Sequence, residues 1–148
     1  MSEITFSFAG PEDLSSVQAL LAECDLPFQD LVEHLPSFIL AKSGSQLVGV
    51  VGLEILNTNA LLRSLAVSSS YRKKGLANEL FARILAYARQ KGIKQLFLLT
   101  ETAEKFFLNA GFEKTARNLI PQSIRMTGEF RELCPETAIA MAMVIDDD

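Results

Sequence analysis

The spacing of apolar residues changes abruptly near the middle of this 148-residue chain. Before Gly75, short apolar runs alternate with turn-rich connections, which predicts strands joined as antiparallel hairpins. After Gly75, apolar residues recur at helical intervals, and a further apolar run follows them. A strand, a long helix and a second strand in this order favour a crossover with parallel pairing. We therefore predict an α/β (α+β) fold with one mixed, mostly antiparallel sheet flanked by helices.

The predicted elements follow the order β-α-α-β-β-β-α-β-α-β-α-β. Those before the change of period are a strand at residues 4–8, helices at 11–23 and 28–35, and strands at 38–42, 46–56 and 60–68. Those after it are a helix from Gly75 that stops at Gly92, a strand at 94–100, a short helix at 102–109 ended by Gly111, a strand from Phe112, a helix at about 121–133 and a strand around 137–145. No linker or repeat separates them, so we expect one domain over residues 1–148.

Composition and charge exclude several classes of protein. Apolar residues make up 49% of the chain and charged residues 22%, which suits a globular domain with its own core. The net charge of −4 argues against a nucleic-acid partner, because such proteins usually present a basic surface. The longest apolar run, residues 47–56, contains Glu54 and is too short to span a bilayer. Neither a nucleic acid nor a membrane is an expected partner.

The cysteines and the first residues indicate the cellular setting. Cys24 and Cys134 are far apart and lack C-x-x-C spacing, so we expect neither a disulfide framework nor a bound metal. The chain does not open with a basic segment followed by an apolar stretch, as secretory signals do. These features favour a reducing, cytoplasmic setting. A homodimer is also possible, since it is the commonest oligomer of soluble proteins.

The segment most suggestive of chemistry is LAVSSSYRKKGLA at residues 65–77. It is a predicted strand, a turn with the consecutive cations Arg72, Lys73 and Lys74, and a helix that opens at Gly75. The first turn of a helix has free backbone N–H groups and a positive dipole end, so the segment can bind a phosphate. The alternative is a solvated basic turn. Neither the P-loop nor the G-x-G-x-x-G pattern is present, which argues against nucleotide hydrolysis and dinucleotide redox chemistry.

The same residues carry a resemblance to a known family. The sequence from Arg72 to Ala77, RKKGLA, resembles the R/Q-x-x-G-x-G/A signature of the GNAT N-acetyltransferase superfamily. The phrase FFLNAGF at residues 106–112 resembles the later helix-to-strand phrase of that family. A narrower resemblance to arsenic-resistance N-acetyltransferases rests on residues 26–31, 62–67, 98–100 and 121–135.

The resemblance implies acetyl-CoA as cosubstrate. Its pyrophosphate would lie on the backbone of Lys73, Lys74, Gly75, Leu76 and Ala77, with Arg72 nearby. Its pantetheine arm would run along Leu65, Ala66 and Val67, where a backbone N–H would polarise the thioester carbonyl. The expected reaction is acetyl transfer to the amine of a small molecule, with amino-acid-like acceptors among the candidates.

The chain departs from the family at both usual proton-handling positions. Phe107 stands where many members have a tyrosine acid, and Leu61 stands where others have a glutamate base. Glu54 is the candidate base, acting directly or through water, and its alternative is a solvent-facing strand carboxylate. Arg63 can bind a substrate carboxylate or pair with an acid such as Glu54. Strand alternation predicts that Arg63 and Ser64 point to opposite faces.

The other candidates each have a structural alternative. Thr102, beside Glu101 at a strand end, can contact substrate or cap the following helix. Arg125 and Glu129 have the spacing of a helix salt bridge. His34, the only histidine, is expected to be structural or exposed. Cys134 is expected to be a buried apolar residue.

Three rival functions remain open. A non-catalytic CoA-binding or sensory module would suit the apolar residues Phe107 and Leu61. A protein acetyltransferase would use a peptide as acceptor. An interaction protein would use the fold only as a scaffold, with no affinity for CoA.

Overall fold

The computed structural model describes residues 3–128, 130 and 137–145, and it confirms the α/β fold. Seven strands form one sheet in the described residues: β1 (Ile4–Phe8), β2 (Phe38–Ser43), β3 (Gln46–Leu56), β4 (Asn59–Val67), β5 (Gln95–Thr100), β6 (Glu113–Lys114) and β7 (Ile139–Val144). The α-helices are α1 (Leu14–Glu23), α2 (Leu76–Gln90), α3 (Glu104–Ala110) and α4 (Gln122–Arg125). The strand order is β1-β2-β3-β4-β5-β7-β6.

Strand pairing is mixed, as the change of hydrophobic period predicts. β2 pairs antiparallel with β1 and with β3, and β7 pairs antiparallel with β5 and with β6. β4 and β5 are parallel, with Asn59–Leu61 opposite Gln95–Phe97. The long helix α2 connects these two strands, so the predicted crossover is confirmed.

The chain divides into two compact units. The first contains the residues up to Glu54 together with Arg63–Tyr87. Its core packs the apolar face of α1 against the first strands, and includes Val17, Leu21, Phe38, Leu40 and Val50, all fully buried. The spacing of Val17, Leu20 and Leu21 is what gives α1 this single apolar face.

The second unit contains Ile55–Leu62 and the residues from Ala88 onward. Its core joins β5 and β7 with the segment around α4, through Leu61, Phe97, Ile120, Ile124 and Ala140. The expectation of a single domain stays a prediction. None of the helices in the described part of the chain has the length and apolar character needed to cross a bilayer.

The predicted second helix at residues 28–35 is wrong. Bends and turns occupy this segment, and a single 3-10 turn, Leu35–Ser37, precedes β2. Asp30 has φ +57°, a left-handed conformation that interrupts a right-handed helix. Its carboxylate binds a distant arginine, so tertiary contact overrides the local helical pattern.

The predicted helix at 121–133 is interrupted at residues 126–127, and Gly128 and Phe130 are again helical. α4 ends at Arg125, and Thr127 folds back to donate a hydrogen bond from Oγ1 to the Ile124 carbonyl (2.8 Å). Residues 129 and 131–136 lie outside the described residues, so the Arg125–Glu129 pair and Cys134 stay predictions. Gly111 ends α3 as predicted, with φ +111°.

Candidate active site

The loop that carries the basic signature connects β4 to α2. We call residues 72–77, which are the end of this loop and the first two residues of α2, the cationic loop. Lys73 and Gly75 are left-handed, with φ +63° and +80°, which turns the chain sharply into the helix. Lys73, Lys74 and Gly75 are exposed, and a Cβ atom placed on Gly75 would meet nothing within 4 Å. Open space therefore lies over a backbone that leads into the N-terminus of a 15-residue helix.

These features fit the pyrophosphate of a CoA molecule. The free N–H groups of the first turn of α2 and the adjacent lysines supply hydrogen bonds and positive charge, and Gly75 leaves room for a bulky anion. Lys74 Nζ lies 5.6 Å from the centroid of the Tyr71 ring, beside the loop.

Arg72 has a different role from its two neighbours. Its Nε donates to the Val67 carbonyl (2.9 Å), and its Nη2 contacts Cys24 Sγ at 3.4 Å. The Cys24 thiol also lies 3.7 Å from the Val67 carbonyl. Arg72 therefore fastens the end of β4 to its own loop, while Lys73 and Lys74 remain exposed to a ligand.

A second group of polar residues in the same unit surrounds the buried side chain of Arg63. We call Asp30, His34, Glu54, Arg63 and Ser64 the Arg63 cluster. Arg63 Nη1 donates to Glu54 Oε1 at 2.8 Å. Asp30 receives two bonds from the guanidinium, from Nη2 to Oδ1 (3.1 Å) and from Nη1 to Oδ2 (3.3 Å).

Burial makes these contacts strong. The Arg63 side chain is 0% exposed and that of Glu54 is 7% exposed, so each needs the other as a counter-charge. Asp30 is 32% exposed. His34, 25% exposed, places Nε2 at 3.6 Å from Glu54 Oε1. The cluster thus has a fully buried cation at its centre and two side chains that reach solvent.

Three residues of the cluster also offer metal-ligand atoms. One atom each of Asp30, His34 and Glu54 lies within 4.8 Å of the others. Arg63 already donates to both carboxylates and supplies the positive charge that a metal ion would bring. The expectation that the chain holds no metal stays a prediction.

Strand alternation fails at Arg63 and Ser64, so the prediction of opposite faces is wrong. Ser64 has φ +62° inside β4, and Arg63 Nε donates to its hydroxyl oxygen at 3.2 Å. A left-handed residue breaks the two-residue period of a strand and brings neighbouring side chains together. Arg63 pairs with acids, which was one of its two predicted roles. The solvent-facing alternative for Glu54 is also wrong, because Glu54 is buried.

The second unit holds the remaining candidates. Thr102 is exposed before α3, and the N-cap residue is Ala103, whose N–H donates to Thr100 Oγ1 (3.0 Å). A capping role for Thr102 is therefore wrong, and a substrate contact stays a prediction. Phe107 is buried in edge-on contact with Phe106 and Phe112, with ring centroids 5.1 and 5.5 Å away.

Comparison with known proteins identifies the family. The model of the acetyltransferase (GNAT) family matches residues 4–112, well over half of the chain. The chain belongs to the GNAT family. The match includes the cationic loop, the Arg63 cluster and the FFLNAGF phrase, so the family resemblance predicted from these motifs is confirmed.

GNAT-family relatives with curated descriptions match parts of the chain. An uncharacterised N-acetyltransferase of Chlorobaculum tepidum is 28% identical over 97 residues, covering 65% of this chain and 62% of that protein. N-acetyltransferase 8B of Rattus norvegicus is 34% identical over 70% of this chain and 51% of its own length. The amino-acid acetyltransferase of Ectopseudomonas mendocina is 43% identical over 60 residues, 40% of this chain and 14% of that protein. The chain thus spans only part of these relatives.

Solved structures share the GNAT fold at low sequence identity. The N-acetylglutamate synthase of Neisseria gonorrhoeae, complexed with coenzyme A and N-acetyl-glutamate, has a TM-score of 0.83 at 21% identity, over 99% of this chain and 36% of that one. A GNAT acetyltransferase of Staphylococcus aureus Mu50 has a TM-score of 0.81 at 17% identity, over 97% of this chain and 100% of that one.

Sequence reasoning missed two members of the Arg63 cluster. Asp30 was assigned to a helix and given no role, and His34 was expected to be structural or exposed. Both lie in an irregular segment for which the local sequence pattern predicted a helix instead. The one available clue was hydrogen bonding: a guanidinium has five N–H donors, so a buried Arg63 needs more acceptors than Glu54 alone supplies.

Proposed function

We propose that this GNAT-family chain transfers the acetyl group of acetyl-CoA to the amine of a small molecule. The observation that carries the proposal is the cationic loop, whose exposed backbone at Gly75 leads from β4 into a long helix. Family membership gives this anion-binding loop a specific ligand.

The proposed cosubstrate contacts lie in the cationic loop and at the end of β4. Lys73, Lys74, Gly75, Leu76 and Ala77 hold the pyrophosphate through backbone N–H groups, with Arg72 fixing the loop to β4. Leu65, Ala66 and Val67 take the pantetheine arm, and a backbone N–H among them polarises the thioester carbonyl. Support comes from the Arg72 bond to the Val67 carbonyl, which ties these two segments together.

Acetyl-CoA, when bound, supplies the thioester carbon that the amine nitrogen attacks, and the C–S bond breaks to release a thiolate that takes a proton from water. Glu54 accepts the proton that leaves the amine nitrogen, directly or through water. Support comes from its position, because its side chain reaches Arg63 of β4, the strand on which the thioester is proposed to lie. Phe107 holds no transferable proton, and a thiolate is a tolerable leaving group without an acid.

Three narrower expectations have less support. Amino-acid-like acceptors are supported by the amino-acid acetyltransferase relatives and opposed by the contacts of Arg63 described below. The arsenic-resistance branch is supported by the motif at residues 62–67, while its motif at 133–135 lies outside the described residues. A cytoplasmic setting is supported by the spacing of the cysteines alone.

The test is acceptor-dependent release of CoA from acetyl-CoA, measured with free amines, amino acids and lysine-containing peptides. We expect turnover with small acceptors and little with peptides. The Glu54→Gln variant should lose about a hundredfold in kcat, whereas the control Glu79→Gln, on the exposed face of α2, should keep the wild-type rate.

Preferred turnover of peptides would favour the protein acetyltransferase. Binding of CoA without turnover of any acceptor would favour the sensory module. No binding of CoA would favour the scaffold and contradict the proposal.

A further inference from the structure

The carboxylate-binding face of Arg63 is filled from within the chain. A guanidinium recognises a carboxylate through two parallel N–H···O bonds, and Asp30 makes that pair of bonds with Nη1 and Nη2. The Ser64 hydroxyl oxygen accepts a hydrogen bond from Arg63 Nε, and Glu54 Oε1 accepts one from Nη1. A substrate carboxylate would have to displace Asp30 to reach this arginine.

The charge of the cluster also disfavours a second anion. Two carboxylates, Asp30 and Glu54, face one guanidinium, so the three groups together carry one surplus negative charge when both acids are ionised. The side chains of Asp30 and His34 are partly exposed, so the negative charge of the cluster acts on groups that approach from solvent. An ammonium group approaching the cluster is attracted, and a carboxylate is repelled.

The backbone at Asp30 has a counterpart elsewhere in the same segment. Asp30 is left-handed at φ +57°, a conformation that is uncommon for a non-glycine residue. Asp25, in the same irregular segment, is also left-handed at φ +58° and exposed. The two aspartates therefore share a backbone conformation, and only Asp30 has its carboxylate on Arg63.

We propose that Asp30 is a specificity-determining residue that selects acceptor amines without a carboxylate next to the reacting nitrogen. This inference rests on the proposed acetyl transfer and names its substrate class. By occupying Arg63, the Asp30 carboxylate takes the place that the carboxylate of an amino acid would need. The protein accordingly acetylates a cationic amine in preference to the corresponding amino acid.

The experiment compares matched acceptors. Alanine, phenylalanine and lysine are each paired with the amine that remains when the carboxyl group is replaced by hydrogen: ethylamine, phenethylamine and cadaverine. The ratio of kcat/KM for amine over amino acid is measured for wild type and Asp30→Asn at the same pH. Asparagine tolerates the left-handed backbone. Asp25→Asn removes the same charge at a matched conformation away from Arg63.

We expect the wild-type ratio to favour the amine by about tenfold or more, and Asp30→Asn to reduce the ratio by about tenfold, the scale of one charge-assisted hydrogen bond. Asp25→Asn should leave the ratio unchanged. A wild-type preference for the amino acids, or an equal ratio in Asp30→Asn and wild type, overturns the inference. Should Asp30→Asn fail to fold, the wild-type ratio decides alone.

Failure of the proposed function gives a different result. If acetyl-CoA raises the melting temperature and no acceptor is acetylated, acetyl transfer to small amines is contradicted. The role of Asp30 is then decided by binding, because the amines must still raise the melting temperature more than the amino acids. Equal or reversed shifts overturn it.

Discussion

The cationic loop and the Arg63 cluster lie on either side of the same short stretch of β4, yet they are built in opposite ways. The loop is exposed, local in sequence and positively charged, and its binding groups are mainly backbone N–H donors. The cluster is buried, assembled from three separate segments and negatively charged in surplus, and its binding groups are side chains. In the proposed function, the loop holds the pyrophosphate of the cosubstrate and the cluster faces the acceptor.

The difference has an energetic consequence. A backbone phosphate site tolerates changes of side chain, because the donors remain when a side chain is replaced. A buried ion cluster does not, since removal of one partner leaves the others charged and unpaired. Mutations in the loop should therefore change the affinity for CoA more than the free energy of unfolding. Mutations in the cluster should lower the free energy of unfolding.

The largest effect is expected at Arg63. Arg63→Met should lower the free energy of unfolding by about 3–5 kcal/mol, because Glu54 and Asp30 lose their common partner. The measurement is urea unfolding at neutral pH. The control is Arg83→Met, whose exposed bridge to Glu79 (3.2 Å) should contribute no more than about 1 kcal/mol. Similar losses in both variants would remove the distinction between buried cluster and exposed surface.

The next effect concerns the loop. Ala77→Glu places a negative charge in the first turn of α2, where the pyrophosphate is proposed to lie, and should weaken CoA binding at least about tenfold. Isothermal titration with CoA measures this, and Gln90→Glu, at the exposed far end of α2, is the control. The unfolding free energy should change little. An unchanged affinity in Ala77→Glu would remove the site from this loop.

Arg72 and Lys73 allow binding and stability to be compared inside the loop, because Arg72 bonds to the end of β4 and Lys73 is exposed. Lys73→Met should weaken CoA binding a few-fold, mostly at low salt, without changing stability. Arg72→Met should also lower the unfolding free energy by about 1 kcal/mol, because the Val67 carbonyl loses a donor. Paired measurements of dissociation constant and urea unfolding separate the two. Equal stability of the two variants would show that Arg72 is only another loop cation.

The smallest effect is expected at Asp13, which forms an ion pair with Lys42 outside both the loop and the cluster. The Gly10 backbone N–H donates to its carboxylate (2.8 Å) and lowers the pKa of that carboxyl, burial opposes this, and Lys42 (3.1 Å) lowers the pKa further. A lowered folded-state pKa means that the stabilisation is present above the unfolded-state value and is lost as pH falls through the folded-state value.

Wild type should therefore be more stable than Asp13→Asn at neutral pH, and the gap should narrow in acid. Urea unfolding of both proteins from neutral to acidic pH measures it. A gap that is constant or widens in acid would contradict the assigned cause.

The sequence predicted the features that depend on local signals, such as the cationic loop, and missed those that depend on distant contacts, such as the Arg63 cluster. β3 has its predicted bounds, and the crossover helix has its predicted position, because hydrophobic period and turn residues are local signals. The cationic loop was found for the same reason. Asp30 and His34 were not, because each contacts a residue 20 or more positions away, and the left-handed Ser64 is a strand irregularity that the alternating pattern does not show.

The most direct test of the central claim is thermal unfolding of the wild-type chain with acetyl-CoA, with CoA and with ATP. A ligand at about 100 times its dissociation constant adds about 2.7 kcal/mol to stability, a shift of several degrees in a chain of this size. We predict that shift with acetyl-CoA and with CoA, and none of comparable size with ATP. An equal shift with ATP, or no shift with acetyl-CoA, would contradict the account.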